Sequence, residues 1–262
     1  MKIIAFFKNL ISFFPRKVKT LKGVVKDIRY IKNVTISELN DLNTLMKVFI
    51  TTSSNIPPFL RSQYSQDMIA YLFLKTNMKK EKGFYIDIGA HDGVTLSNTY
   101  LFEQIGWKGI CVEPIPDIFI QLQKNRTCDV INAAITDKLC NSADFIQVSG
   151  PDMLSGLDSE MSSSHKKRIK AENGSVEVIK VKTLTFDAIM QNYPEINHID
   201  FLSIDVEGGE MNILQTINFK KYSFGIITIE NNEPDNKLTV FMKNHEYCEF
   251  CKTGCDIMFI KQ

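Results

Sequence analysis

Phe84-Tyr85-Ile86-Asp87-Ile88-Gly89-Ala90-His91-Asp92-Gly93 decides the fold. Five residues, apolar apart from Asp87, lead into two glycines. A short apolar run bounded in this way reads as a buried strand that ends in a tight turn and opens a helix. Similar runs recur downstream at Gly109–Glu113, Val130–Ile135, His198–Val206 and Gly225–Glu230. Between them lie stretches of helical spacing, at Leu96–Gln104 and Asp117–Lys124, and Arg61–Met78 precedes the first strand. Short apolar strands alternating with helices mean parallel βαβ units covered on both faces.

The 262 residues carry 31 Lys+Arg against 30 Asp+Glu, with 44% apolar and 23% charged residues. Those proportions exclude disordered, collagen-like and membrane-spanning classes. The charge is uneven: residues 1–32 hold nine basic residues and the single acid Asp27. The sequence therefore divides into a basic, helical accessory region at 1–60, closed by Asn55-Ile56-Pro57-Pro58, and a mildly acidic α/β body at 61–262. Met1–Phe14 is too short to span a bilayer and lacks a signal peptide's cleavage site. It reads as an amphipathic helix that packs on the body, joins subunits into a homo-oligomer or touches an anionic membrane surface. The expected location is cytoplasmic, with that helix allowing peripheral contact at the inner face of the membrane.

An insert interrupts the alternation. Asp144–Val148 and Val176–Val181 alternate like paired strands around the Ser/Gly-rich segment Ser149–Ser175, which contains the basic run His165–Lys170. A segment of that length reads as a lid or binding loop, and the basic run as a solvated face or a holder of phosphates. The cysteines do not form a disulfide framework; Cys111 and Cys128 fall in or beside core strands. Cys248, Cys251 and Cys255 are spaced C-x2-C-x3-C, near metal-ligand spacing, but the stretch around them also reads as a closing β-hairpin turning at Thr253-Gly254.

The glycine turn is spaced D-x-G-x-x-x-G and not as the dinucleotide fingerprint G-x-G-x-x-G. An acid two residues before the first glycine repels a pyrophosphate and suits a ligand with an ammonium at that end, such as S-adenosylmethionine. Glu113 ends the second strand 26 residues after Asp87, placed as a ribose-diol acceptor.

Three blocks, FYIDIGAHDGVTLSNTY (Phe84–Tyr100), GWKGICVEPIPD (Gly106–Asp117) and FLSIDVEGGE (Phe201–Glu210), together resemble the FkbM family of S-adenosylmethionine-dependent methyltransferases. The resemblance runs from Ser62–Asp67 to Gly254–Phe259 and takes in Ser155-Gly156-Leu157. It implies a class I methyltransferase fold of Rossmann-like α/β type: a seven-stranded, mostly parallel sheet whose last strand is antiparallel, supplied by the hairpin at 246–260. It also implies a cofactor site through Gln66, Asp87, Gly89, His91, Asp92, Gly93, Ser97, Glu113, Pro114, Asn132 and Ala133. The expected reaction is O-methylation of a sugar hydroxyl on a nucleotide-activated sugar or glycan, as in capsule or lipopolysaccharide assembly, with a polyketide-type hydroxyl as the alternative.

Methyl transfer to a hydroxyl needs alignment and removal of a proton. Ile204–Glu210 lies at a strand's C-terminal end, where α/β sheets place ligands, and offers Asp205 and Glu207. Glu207 and His91 compete as general base. Asp205, Glu230 and Asn231 form an all-oxygen set similar to the metal site of catechol O-methyltransferase-like enzymes, and such donors suit Mg²⁺ or Mn²⁺. An oxidoreductase is disfavoured by the glycine spacing. A non-catalytic binding protein is disfavoured by retention of Asp87, Gly89, Glu113 and Asp205. A nucleic-acid methyltransferase is disfavoured by the acidic body and the absence of a base-flipping motif.

Overall fold

The computed structural model describes residues 59–149, 155–161, 175–232 and 235–262. The expected accessory region 1–60, apart from its last two residues, lies outside them, as does the basic run His165–Lys170. In chain order the elements are α1 (Gln66–Asn77), β1 (Phe84–Ile88), α2 (Tyr100–Gln104), β2 (Lys108–Val112), α3 (Pro116–Asn125), β3 (Asp129–Ile131) and β4 (Ala134–Ile135). There follow β5 (Cys140–Ser149), β6 (Gly156–Leu157), β7 (Ser175–Leu184), α4 (Phe186–Met190), β8 (His198–Ile204) and α5 (Glu210–Thr216). The chain closes with β9 (Ser223–Glu230), α6 (Lys237–Asn244), β10 (Tyr247–Thr253) and β11 (Asp256–Lys261).

Seven strands form one sheet in the order β10-β11-β9-β8-β1-β2-β3. β1 is parallel to β2 and β8, β2 to β3, and β8 to β9, whereas β11 runs against both β9 and β10. The chain builds outward from β1 through β2 to β3, then returns to lay β8 on the other side of β1. A switch of direction of this kind opens a crevice at the C-terminal strand ends. Both faces are covered, which is why the strands read as continuous apolar runs. Ile86, Ile88, Leu202, Ile204, Ile227 and Ile229 face one core with Phe186, Ile213, Leu214 and Met242. Tyr85, Cys111, Phe201, Ile226 and Met258 face the other with Met68, Leu74, Phe102 and Trp107.

Three elements depart from the sequence expectation. The helix expected over 61–78 begins at Gln66, because Asp67 folds back to accept hydrogen bonds from the N–H groups of Arg61 (2.7 Å) and Ser62 (3.2 Å). The helix expected from Leu96 starts at Tyr100, since Leu96 is left-handed (φ 53°) and the Ser97 hydroxyl takes the N–H groups of Thr99 and Tyr100. The apolar run 130–135 is two strands and not one: β3 joins the main sheet, while β4 pairs with β7. Asn132 sits at the break, its amide donating to the carbonyls of Glu113 (2.9 Å) and Pro114 (3.0 Å).

The expected arm is a ten-residue antiparallel pair, β5 with β7, within a four-stranded sheet ordered β4-β7-β5-β6. Phe145, Leu157 and Val181 pack against Ile115 and Ile118 at the start of α3. The closing hairpin is present, with Gly254 at its turn (φ +60°) and Tyr64 packed over that glycine. Among the described residues no helix is long and apolar enough to cross a membrane.

Phe201 is fully buried against Phe102 at a ring separation of 5.0 Å. Phe201→Ala is expected to cost about 3–5 kcal/mol of stability, read by chemical denaturation.

Candidate active site

A cavity of about 430 Å³ occupies the crevice at the C-terminal ends of β1, β2, β8 and β9. Its floor is the glycine turn. Gly89 has φ +86°, and a Cβ there would collide with the Asp205 carbonyl, so any side chain at 89 is excluded by the neighbouring backbone. The N–H groups of Gly89 and Ala90 both donate to the Val112 carbonyl (3.0 Å). Gly93, at φ +79°, makes room on another side, since a Cβ there would strike Leu122 and Arg126, 2.6 Å away. Both glycines make room for protein, and of the two Gly89 lines the cavity. Asp92 turns its carboxylate onto the N–H groups of Val94 and Thr95 and the Thr95 hydroxyl, at 2.7–2.8 Å, shaping the loop from beside the cavity.

Arg126 holds this loop from below. Its side chain is fully buried, with Nη1 donating to the Gly93 carbonyl (2.9 Å) and Nη2 to Tyr85 Oη (2.8 Å) and Thr99 Oγ1 (3.1 Å). Nε donates to Glu103 at 2.7 Å. Burial works to raise the Glu103 carboxyl, but the bonds from Arg126 and Thr127 and the guanidinium charge hold it down at about 2. Thr99, placed by Arg126, donates to Asp87 Oδ2 at 2.6 Å. Burial raises the pKa of Asp87, opposed by Thr99 and the Arg126 charge.

Glu113 is 5% exposed. One carboxylate oxygen accepts the His91 N–H (3.0 Å) and the other the Ile115 N–H (2.8 Å), so both are oriented. His91 is left-handed (φ 51°), a conformation that delivers its N–H to Glu113. Gln66, Asp87, Ser97, Pro114 and Ala133 line the same cavity. Asn132 serves the chain break beneath it instead.

Opposite lies a cluster of acids. Asp205, Glu207 and Glu230 offer carboxylate oxygens within 4.8 Å of one another. Glu207 is itself left-handed (φ 56°) at the turn after β8, a strained position for a residue with a Cβ. Glu210 is fixed by the Gly208 N–H (3.0 Å), and Asp256, paired in register with Glu230, accepts from Gln66 (2.6 Å). Although Asp205 presents surface to the cavity, its carboxyl is surrounded by protein; that desolvation, with Glu230, Asp256 and Glu210 alongside, pushes its pKa well above the carboxylate range. Burial, joined by Glu207 and Glu210, pushes Glu230 up to about 8. Asn231 lies outside this cluster. It lines a neighbouring cavity, and its N–H donates to the Cys255 carbonyl (3.0 Å).

The cysteine trio is not gathered into a ligand set among the described residues. Cys255 faces Glu230 and Asp256 on the cavity wall, while Cys248 and Cys251 lie along β10. Cys111 and Cys128 remain free thiols with sulfurs 3.6 Å apart. Sequence reasoning missed Tyr64, Asn98, Glu160, Ser203 and Asp256 on the cavity wall, and Arg126 beneath it. A lone arginine after α3 carries no local signal; Asp256 was findable as the first residue of the strand beside Glu230.

A carboxyl raised on folding keeps its proton in the native chain and loses it on unfolding. Stability of the ligand-free, EDTA-treated protein is therefore expected to fall as pH rises from about 5 to 8. Thermal melts should show Glu230→Gln gaining on the unsubstituted protein across that window.

Among solved structures, the chain is similar to a putative RNA methyltransferase from Pyrococcus horikoshii (12% identity, TM-score 0.38, covering 84% of this chain and 98% of that one). It is also similar to a methyltransferase from Geobacter sulfurreducens (11% identity, TM-score 0.39, 92% and 97%). A third is an O-methyltransferase from Bacillus cereus in complex with SAH (12% identity, TM-score 0.36, 93% and 97%). Likenesses this low carry no functional weight. No curated protein sequence matches significantly. The model of the methyltransferase FkbM domain, however, matches residues 87–249, more than half of the 262. That match runs from Asp87 at the cavity floor into the closing hairpin, and the chain belongs to the FkbM methyltransferase family.

Proposed function

We propose that the chain is an S-adenosylmethionine-dependent O-methyltransferase acting on a sugar hydroxyl, with a class I sheet. The strand order and the reversed β11 support the sheet assignment. The observation that carries the reading is the pre-oriented Glu113 carboxylate beside the glycine turn, facing an acid cluster across one cavity. Glu113 accepts the cofactor's ribose diol, and the loop pinned by Arg126 orients the remainder. The methyl carbon leaves sulfur for the acceptor oxygen: the C–S electron pair stays on sulfur, a C–O bond forms, and the hydroxyl proton passes to a base. Glu207 is that base. It lines the cavity within the acid cluster, whereas the His91 ring belongs to the glycine turn, with Nδ1 3.8 Å from Asp92.

The acid cluster also fits a hard divalent cation: its donors are all oxygen, and Glu230 Oε2 is buried without a hydrogen bond. Asp205 and Glu230 would hold Mg²⁺ or Mn²⁺, which supplies polarisation of the acceptor oxygen when bound. A polyol is favoured over a polyketide because the smaller cavity beside Glu207 is lined mainly by carboxylates and amides, with Met211 and Leu238 as its larger apolar residues.

Glu113→Ala is expected to weaken S-adenosylhomocysteine binding by about 1.5–3 kcal/mol, roughly ten- to a hundredfold, by calorimetry. Unchanged affinity would remove the ribose role. Glu207→Gln should lower kcat by about 10²–10⁴ with S-adenosylhomocysteine affinity retained. Full transfer in EDTA-treated protein would remove the metal.

A further inference from the structure

Two thiols meet in the core formed by Tyr85, Phe102 and Trp107, and neither lines a cavity described above. Cys111 is fully buried within β2, paired on one side with Asp87 of β1 and on the other with Val130 of β3. Cys128 is half-buried in the short link between α3 and β3. Their sulfurs are 3.6 Å apart, and both thiols are free. One reachable thiol against one enclosed thiol is the arrangement that passes from a sulfenic acid to a disulfide.

The surroundings set the two apart. A hydrogen bond from Cys111, the Arg126 charge and the Tyr85 hydroxyl lower the Cys128 pKa, against the effect of burial. Burial, joined by Cys128, raises Cys111 well above the ordinary thiol range. Burial also raises Cys255, and pushes Cys251 up to about 12, so neither competes as a nucleophile. The link that carries Cys128 also carries the pin of the glycine loop. Arg126, two residues earlier, donates to the Gly93 carbonyl and to Thr99. Thr127 gives its N–H (2.7 Å) and its hydroxyl (2.8 Å) to Glu103, the carboxylate that also takes Arg126 Nε.

We propose that Cys128 and Cys111 form a reversible oxidation site, closed to a disulfide by hydroperoxides, and that closure loosens the loop over residues 93–99. The Cys128 thiolate attacks a peroxide oxygen: an S–O bond forms, the O–O bond breaks, and the departing oxygen takes a proton and leaves as water or an alcohol. The sulfur is oxidised by two electrons and the peroxide is reduced by two. The Cys111 sulfur then displaces the sulfenic oxygen, which leaves as water with the Cys111 proton. A dithiol reductant reverses the bond by exchange. Bonding needs the sulfurs about 2 Å apart. Cys111 is held in ladders on both sides, so Cys128 makes the approach and draws Arg126 and Thr127 with it. That displacement strains the bonds from Arg126 to Gly93 and Thr99. Its effect on the cofactor rests on the methyltransferase reading above; the disulfide and the loop do not.

The test uses the full chain, reduced and then exposed to hydrogen peroxide in EDTA. Peptide mapping without reductant should find Cys111 joined to Cys128, two hydrogens lighter than the separate thiols, and dithiothreitol should restore both. Amide exchange at residues 94–99 should quicken about tenfold or more in the oxidised chain. S-adenosylhomocysteine should bind it about tenfold more weakly, by calorimetry. Cys128→Ser should abolish both responses to peroxide, and Cys111→Ala should leave Cys128 as a sulfenic acid that dimedone captures. No linkage of the pair, linkage without faster loop exchange, or undiminished affinity in the linked chain would overturn the proposal. If the reduced chain does not bind S-adenosylhomocysteine, the methyltransferase reading fails, and mapping with loop exchange still decides the oxidation site.

Discussion

Everything in the cavity is referenced to one backbone approach. The turn after β1 lies so close to the turn after β8 that Gly89 has no room for a Cβ against the Asp205 carbonyl. The Asp205 N–H completes the clasp by donating to the Ile88 carbonyl at 2.9 Å. β1 carries Asp87 and leads into the glycine turn, and β8 leads into Asp205 and Glu207. A donor and an acceptor for group transfer must be held to within a fraction of an ångström, and main-chain contact between adjacent strands is the stiffest means a sheet offers.

Arg126 gives the glycine-turn side its second constraint. A buried guanidinium with all three nitrogens engaged is costly to desolvate, and it remains favourable because Glu103 and four oxygen acceptors surround it. Through Gly93 and Thr99 it fixes both ends of the 93–99 loop. The acid side has no matching counter-charge among the described ion pairs, and burial, joined by the neighbouring carboxylates, raises the Asp205 and Glu230 carboxyls. One wall is electrostatically satisfied within the protein; the other gathers carboxyls without such a partner among the described ion pairs.

Much of this was legible in the sequence where a local pattern carries the information. The apolar runs of β1, β2, β8 and β9 follow from burial on both faces, and the hairpin turn at Gly254 follows from its need for positive φ. Asp87, Gly89, Glu113, Asp205, Glu207 and Glu230 all line the main cavity. The failures are tertiary. Nothing in the apolar run 130–135 marks Asn132 as the point where the chain changes sheets, because both halves are equally apolar. Helical spacing over 96–104 was outweighed by side chains that cap a loop. Asp256 and Glu160 reach the site through strand register and the folding of the arm, distances that no local window contains.

The break at Asn132 separates two hydrogen-bond ladders. β4 to β7 have their own sheet and their own small core on α3, yet they deliver Glu160 to a wall shared by both cavities, where Thr136 holds it. A change in the length or sequence of that arm therefore remodels the wall at Glu160 while the clasp at Gly89 and the two backbone bonds to Glu113 keep their register.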